Sequence, residues 1–70
     1  MLPRLPRLTD EQAERMLLGA GFERVRTKGS HGIYRKGPER FVVPFHGGKI
    51  LHPKITKDLV ELVENNVTKN

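Results

Sequence analysis

The chain has 70 residues, room for one small core but not for a second domain or a large cofactor-binding cleft. Thirteen Lys and Arg against eight Asp and Glu leave a net charge of +5, which favours an anionic partner, nucleic acid first among them. The absence of cysteine excludes disulfides, thiolate-ligated zinc and a thiol nucleophile, and fits a reducing cytoplasm.

The opening segment, Met1 to Leu8, has no apolar run long enough for a secretory signal, and no later stretch approaches membrane-spanning length, so the expected location is cytoplasmic with no membrane partner. Pro3 and Pro6 keep this segment out of helix and make it an extended basic arm, residues 1–8, whose Leu2, Leu5 and Leu8 can pack on the body. A single folded domain is expected over residues 9–67, followed by a frayed tail at 68–70. Thr9, with Asp10 and Glu11 after it and Gln12 three residues on, has the capping-box pattern. It predicts a helix from Asp10 to Ala20, with Ala13, Met16, Leu17 and Ala20 as its apolar stripe and Gly21 as a left-handed stop before Phe22.

From Glu23 to Lys36 the pattern is β, broken by Gly29-Ser30, a two-residue link suited to a type II′ hairpin. That turn sets Lys28 opposite His31, Thr27 opposite Gly32, Arg26 opposite Ile33, Val25 opposite Tyr34 and Arg24 opposite Arg35. Val25 and Tyr34 are assigned to the core side. Arg24, Arg26, Lys28, His31, Ile33 and Arg35 are assigned to the side facing solvent and substrate, since a one-residue slip would invert every face. Lys36 to Glu39 turns the chain again, and Arg40 to Phe45 reads as a third strand ended by Pro44. Gly47-Gly48 makes a flexible loop with His46 and Lys49, and Pro53 opens a closing helix whose stripe is Ile55, Leu59, Leu62 and Val63, flanked by Val60 and ended by Asn65 and Asn66. The order α-β-β-β-α implies an α+β domain, a three-stranded antiparallel sheet with two helices on one face and the other face open.

His31 is the first candidate for chemistry, because histidine gives and takes protons near neutrality and its neighbours are cations suited to a polyanion. Beside RNA it can accept the proton of a 2′-hydroxyl, which attacks the adjacent phosphorus and releases a 5′-hydroxyl end, with no metal or bound cofactor in the step. The plainer reading is an exposed strand histidine that only touches phosphate or solvent. His46 is a secondary candidate, to protonate the leaving oxygen if its loop folds toward His31; otherwise it bonds backbone in the loop. His52, before Pro53, is read as finishing the helix start. The three histidines match no local metal-ligand spacing, so no metal site is expected. Arg24, Arg26, Lys28, Ser30 and Arg35 on the hairpin, with Lys49 and Lys54 near the closing helix, are the expected phosphate contacts, the helix start attracting anions through its free N–H groups. Lys54 and Lys57 equally suit the solvated face of an amphipathic helix. Tyr34 is read as a core residue rather than a platform for a base.

Leu8-Thr9 at the helix start, Gly21-Phe22 at its end, Lys28-Gly29-Ser30-His31, Val43-Pro44-Phe45-His46 and the closing helix near Ile55 to Val63 together resemble the HicA-type mRNA interferase toxins of toxin-antitoxin pairs. The resemblance implies a double-stranded-RNA-binding-domain-like fold, cleavage of mRNA without the ribosome, a catalytic histidine at His31, and a HicB-type antitoxin that blocks the active site. Gly32 departs from many relatives, which carry a bulkier residue there. Two other readings stay open beside the nuclease: a non-catalytic RNA-binding module of the same architecture, and a partner-binding protein with a basic docking face.

Overall fold

In the computed structural model, which describes residues 6–68, the elements follow as α1 (Asp10–Gly19), β1 (Glu23–Lys28), β2 (His31–Lys36), β3 (Glu39–Pro44) and α2 (Pro53–Thr68). Leu2, Pro3 and Leu5 of the expected arm, and Lys69 and Asn70 of the expected tail, lie outside the described residues. Leu8 packs against the core, and its carbonyl accepts from the Leu51 amide at 2.7 Å, so the segment before α1 pairs with the segment before α2.

Both ends of α1 are set by the residues that announce them. Thr9 Oγ1 accepts from the Gln12 amide at 3.2 Å while Gln12 Oε1 accepts from the Thr9 amide at 2.9 Å, the reciprocal capping box that satisfies two otherwise free donors. At the other end Gly21 takes φ +96°, and the amides of Phe22 and Gly21 donate to the carbonyls of Leu17 and Leu18. That bond pair, with buried Phe22 packed near buried Leu17, is a Schellman stop. Lys36 completes it from the sheet, its Nζ donating to the Ala20 carbonyl at 2.7 Å where the helix end gathers negative potential. In α2, Pro53 occupies the first helical position, where no N–H is needed, and His52 Nδ1 accepts from the Lys54 amide at 3.1 Å. The helix runs through Asn65 and Asn66 to Thr68 rather than stopping at the asparagines; Asn66 Nδ2 donates back to the Leu62 carbonyl at 3.0 Å, so its amide serves the helix instead of ending it.

The strands form one antiparallel sheet in the order β1-β2-β3. The observed register agrees with the expected one at Lys28↔His31, Thr27↔Gly32 and Arg26↔Ile33, and then shifts, because a β-bulge between Arg24 and Arg26 leaves Val25 without a partner. Tyr34 therefore faces Arg24, and Arg35 faces Glu23. Two expectations are corrected by this: Val25 is 52 % exposed instead of buried, and Arg24 lies on the helix-covered face with Tyr34 instead of on the open face.

Leu17 from α1, Tyr34 and Val43 from the sheet and Leu59 from α2 meet in the core with no accessible surface, joined by Ala13, Ala20, Phe22 and Leu51. Burying each large apolar side chain contributes about 1.5–3 kcal/mol. Thr56, absent from the expected stripe of α2, is also buried, while Ile55, Leu62 and Val63 are only partly covered. Along β2, Gly32, Tyr34 and Lys36 point to the helices; His31, Ile33 and Arg35 point to the face the helices leave open.

Candidate active site

The turn that carries His31 is fixed twice. Gly29 takes φ +59° and no described non-glycine residue has a positive φ, as a type II′ link through Gly29-Ser30 requires. The Ser30 carbonyl then accepts from the Phe45 amide at 2.6 Å, extending the β2–β3 pairing one step past the last strand partners, His31 and Pro44. Between these contacts Gly32 has no room for a side chain. A Cβ there would stand 2.6 Å from Phe45 Cε2 and 3.1 Å from Tyr34 Cε1, so the Phe45 ring covers the backbone beside the histidine. His31 itself, the first residue of β2, is exposed.

On the open face the side chains fall into rows across the three strands. The first holds Lys28, His31 and Pro44, the second Arg26, Ile33 and Val42, the third Glu23, Arg35 and Arg40. Successive rows are about 6.6 Å apart, the rise of two strand residues. Every cation among them is exposed, while Ile33, Val42 and Pro44 are half-buried, so positive groups surround a low apolar floor. Such a surface attracts a polyanion and leaves the imidazole within reach of it.

The loop after β3 is anchored to the same end of the sheet. Asp10, 2 % exposed at the start of α1, accepts from the His46 amide at 2.8 Å and the Gly48 amide at 3.3 Å through Oδ2, and from the Glu11 amide at 2.7 Å through Oδ1. The His46 amide is the main reason the Asp10 carboxyl sits below the usual carboxylate range; burial opposes it, and the Gly48 and Glu11 amides and the charge of His46 reinforce it. His46 is exposed, two residues beyond Pro44, the cross-strand partner of His31.

A family model described as the HicA toxin of bacterial toxin-antitoxin systems matches residues 11–64. The chain belongs to the HicA toxin family. The match takes in the His31 turn, all three strands and the Asp10-bound loop. No curated protein and no solved structure matches the chain. HicA toxins pair with an antitoxin, which gives this one a protein partner. Among the described residues no helix is long and apolar enough to cross a membrane, and no group of three or more His, Asp or Glu side chains is placed to hold a metal ion.

Of the residues singled out in the sequence, the HicA fold sets Lys28 in the His31 row, Arg26 in the next and Arg35 in the third, all on one face, with Ser30 exposed in the adjoining turn. Lys49 is exposed in the β3–α2 loop and Lys54 in the first turn of α2, apart from the strand rows. Arg24 leaves the group. On the helix side its guanidinium pairs with Glu14 Oε2 at 3.2 Å, and the same oxygen accepts from the Tyr34 hydroxyl at 2.5 Å. Burial first, then the Glu14 hydrogen bond and charge, push the Tyr34 phenol well above its ordinary range. Asp10, Glu11, Glu14, Arg24 and Phe45 line a cavity of about 510 Å³ there, whose carboxylates disfavour phosphate. Arg40 is the open-face cation that the reading of the sequence passed over. The Gly37-Pro38 turn signals it, since a two-residue link there puts Arg35 opposite Arg40 as the first one puts Lys28 opposite His31.

Proposed function

We propose that this HicA toxin is an endoribonuclease that cleaves mRNA, with His31 as its proton-transfer group. In the step, the imidazole accepts the proton of a ribose 2′-hydroxyl; the 2′-oxygen bonds to the adjacent phosphorus; the bond from phosphorus to the 5′-oxygen breaks, and that oxygen leaves as a hydroxyl on taking up a proton. His46, held in place through its own amide, is the secondary candidate to supply the last proton. Lys28 in the same row as His31 and Arg26 in the next offset the charge that gathers on the phosphorane, while Arg35 lies a further row along the same face. Nothing in the step calls for a cofactor or metal.

The observation that carries this reading is the exposure of His31 in a row with Lys28 on the basic face that the helices leave uncovered. A HicB-type antitoxin that covers this face would block substrate entry, and both proteins would act in the cytoplasm. The test is expression of wild type and His31→Ala in bacterial cells, with and without the partner, alongside purified single-stranded RNA in EDTA. Growth arrest and cleavage by wild type alone support the nuclease. Salt-dependent RNA binding by both proteins with cleavage by neither identifies a non-catalytic RNA-binding module, and failure of both to bind RNA identifies a protein whose basic face serves only its partner.

A further inference from the structure

We propose that Arg35 and Arg40 form a phosphate subsite for the substrate RNA, two rows of the sheet away from the bond that is cut; the assignment rests on His31 as the catalytic group. The two arginines are direct cross-strand partners on the open face, and both are exposed. Like charges placed opposite one another destabilise a sheet, and in this row Glu23 alone offers a carboxylate to two guanidinium groups. The surplus positive charge faces solvent, where two planar forks can grip the oxygens of one phosphate.

The spacing makes that phosphate part of the same strand as the scissile one. Open-face positions on β2 repeat at about 6.6 Å. A ribonucleotide has twice as many backbone bonds per unit as an amino-acid residue, so the phosphates of an extended RNA strand repeat at a similar distance. A strand laid along β2 with one phosphate at His31 and Lys28 meets Arg26 at the next and the Arg35 and Arg40 pair at the one after. Ile33, half-buried between them, leaves the path low and unobstructed. Each row crossed supplies at least one cation, whereas the helix-side cavity is lined by Glu11 and by Glu14 paired with Arg24.

The test uses the full chain as wild type, Arg40→Ala and Arg40→Lys. Binding is measured by fluorescence anisotropy on single-stranded RNA made uncleavable by a 2′-deoxyribose at the cut position, from a dinucleotide to longer strands, across a salt series. Arg40→Ala is expected to weaken binding of the longer strands roughly tenfold. It should also lower the slope of log affinity against log salt by about one, and leave the dinucleotide unaffected. Arg40→Lys keeps the charge without the fork and recovers part of the loss. Equal affinity and slope for wild type and Arg40→Ala on the longer strands overturns the subsite, as does a penalty of the same size on the dinucleotide. If cleavage proves independent of His31 while the length-dependent Arg40 effect persists, the phosphate subsite is supported and the catalytic assignment alone falls.

Discussion

Asp10 and His46, 36 residues apart in sequence, are joined by a 2.8 Å hydrogen bond from the His46 amide to Asp10 Oδ2. The bond ties the start of α1 to the loop that closes the His31 end of the sheet, and the carboxylate sits where the helix dipole favours negative charge. The folded state holds the Asp10 carboxyl below its ordinary value, chiefly through the His46 amide. The stability this provides is therefore complete above the unfolded carboxylate value of about 3.9 and is lost as the pH falls through the lower native value. Thermal melts of the wild type are expected to drop in Tm below pH about 4. Asp10→Asn should melt lower at neutral pH and lose less on acidification. Equal acid losses in the two proteins would show that another group governs this range.

Gly32 and Phe45 make a second pair whose fit can be tested directly. The Phe45 ring crowds the place of a Cβ on Gly32, 2.6 Å away, so Gly32→Ala must displace an aromatic ring beside the His31 turn. A destabilisation of about 1–3 kcal/mol is expected in denaturant unfolding. In a Phe45→Leu background the same substitution should cost much less, the two changes being coupled. Additive effects would mean that the ring does not set the requirement for glycine.

Tyr34, the only tyrosine in a chain without tryptophan, reports on the opposite face of the sheet. Its phenol is raised above the usual range by burial and by Glu14. The folded protein therefore favours the protonated form, and stability present below pH about 10 is lost as the pH rises beyond it. Phenolate absorbance should accordingly appear together with loss of the far-ultraviolet circular dichroism signal; phenolate formed in a still-folded protein would contradict this placement. Tyr34→Phe removes the donor to an ionised partner and is expected to cost about 1.5–3 kcal/mol.

Much of this architecture was legible because short-range chemistry dictates it. Thr9 with Gln12, Gly21 with Phe22, and the Gly29-Ser30 link each specify a local geometry, and together they placed α1, its stop and the hairpin through Arg26. The face of Arg24 was not legible, because the bulge at Val25 carries no local signal: a β-branched residue in a strand-forming run reads as a paired position, and the shift shows only in the pairing of Arg24 with buried Tyr34. Asp10 was hidden for a related reason. The capping pattern already accounts for an acidic residue at that position, and its bonds to His46 and Gly48 exist only once β3 has returned to the helix start.

Val25 gives that correction a quantitative form. A residue on the bulge, half in solvent, should accept Val25→Ser with a stability change within about 0.5 kcal/mol. Loss of a core valine on the expected register would cost several times more, so a denaturant midpoint that moves strongly would restore the unbulged pairing.

The nuclease reading is tested most directly by single-turnover cleavage of a purified single-stranded RNA by wild type and His31→Ala, in EDTA and at RNA occupancies matched by separate binding measurements. The expected result is a cleavage rate lowered by roughly 10²–10⁴ in the variant, the range a lost proton-transfer group commands, with RNA affinity little changed. Equal rates for the two bound proteins would contradict the assignment of His31.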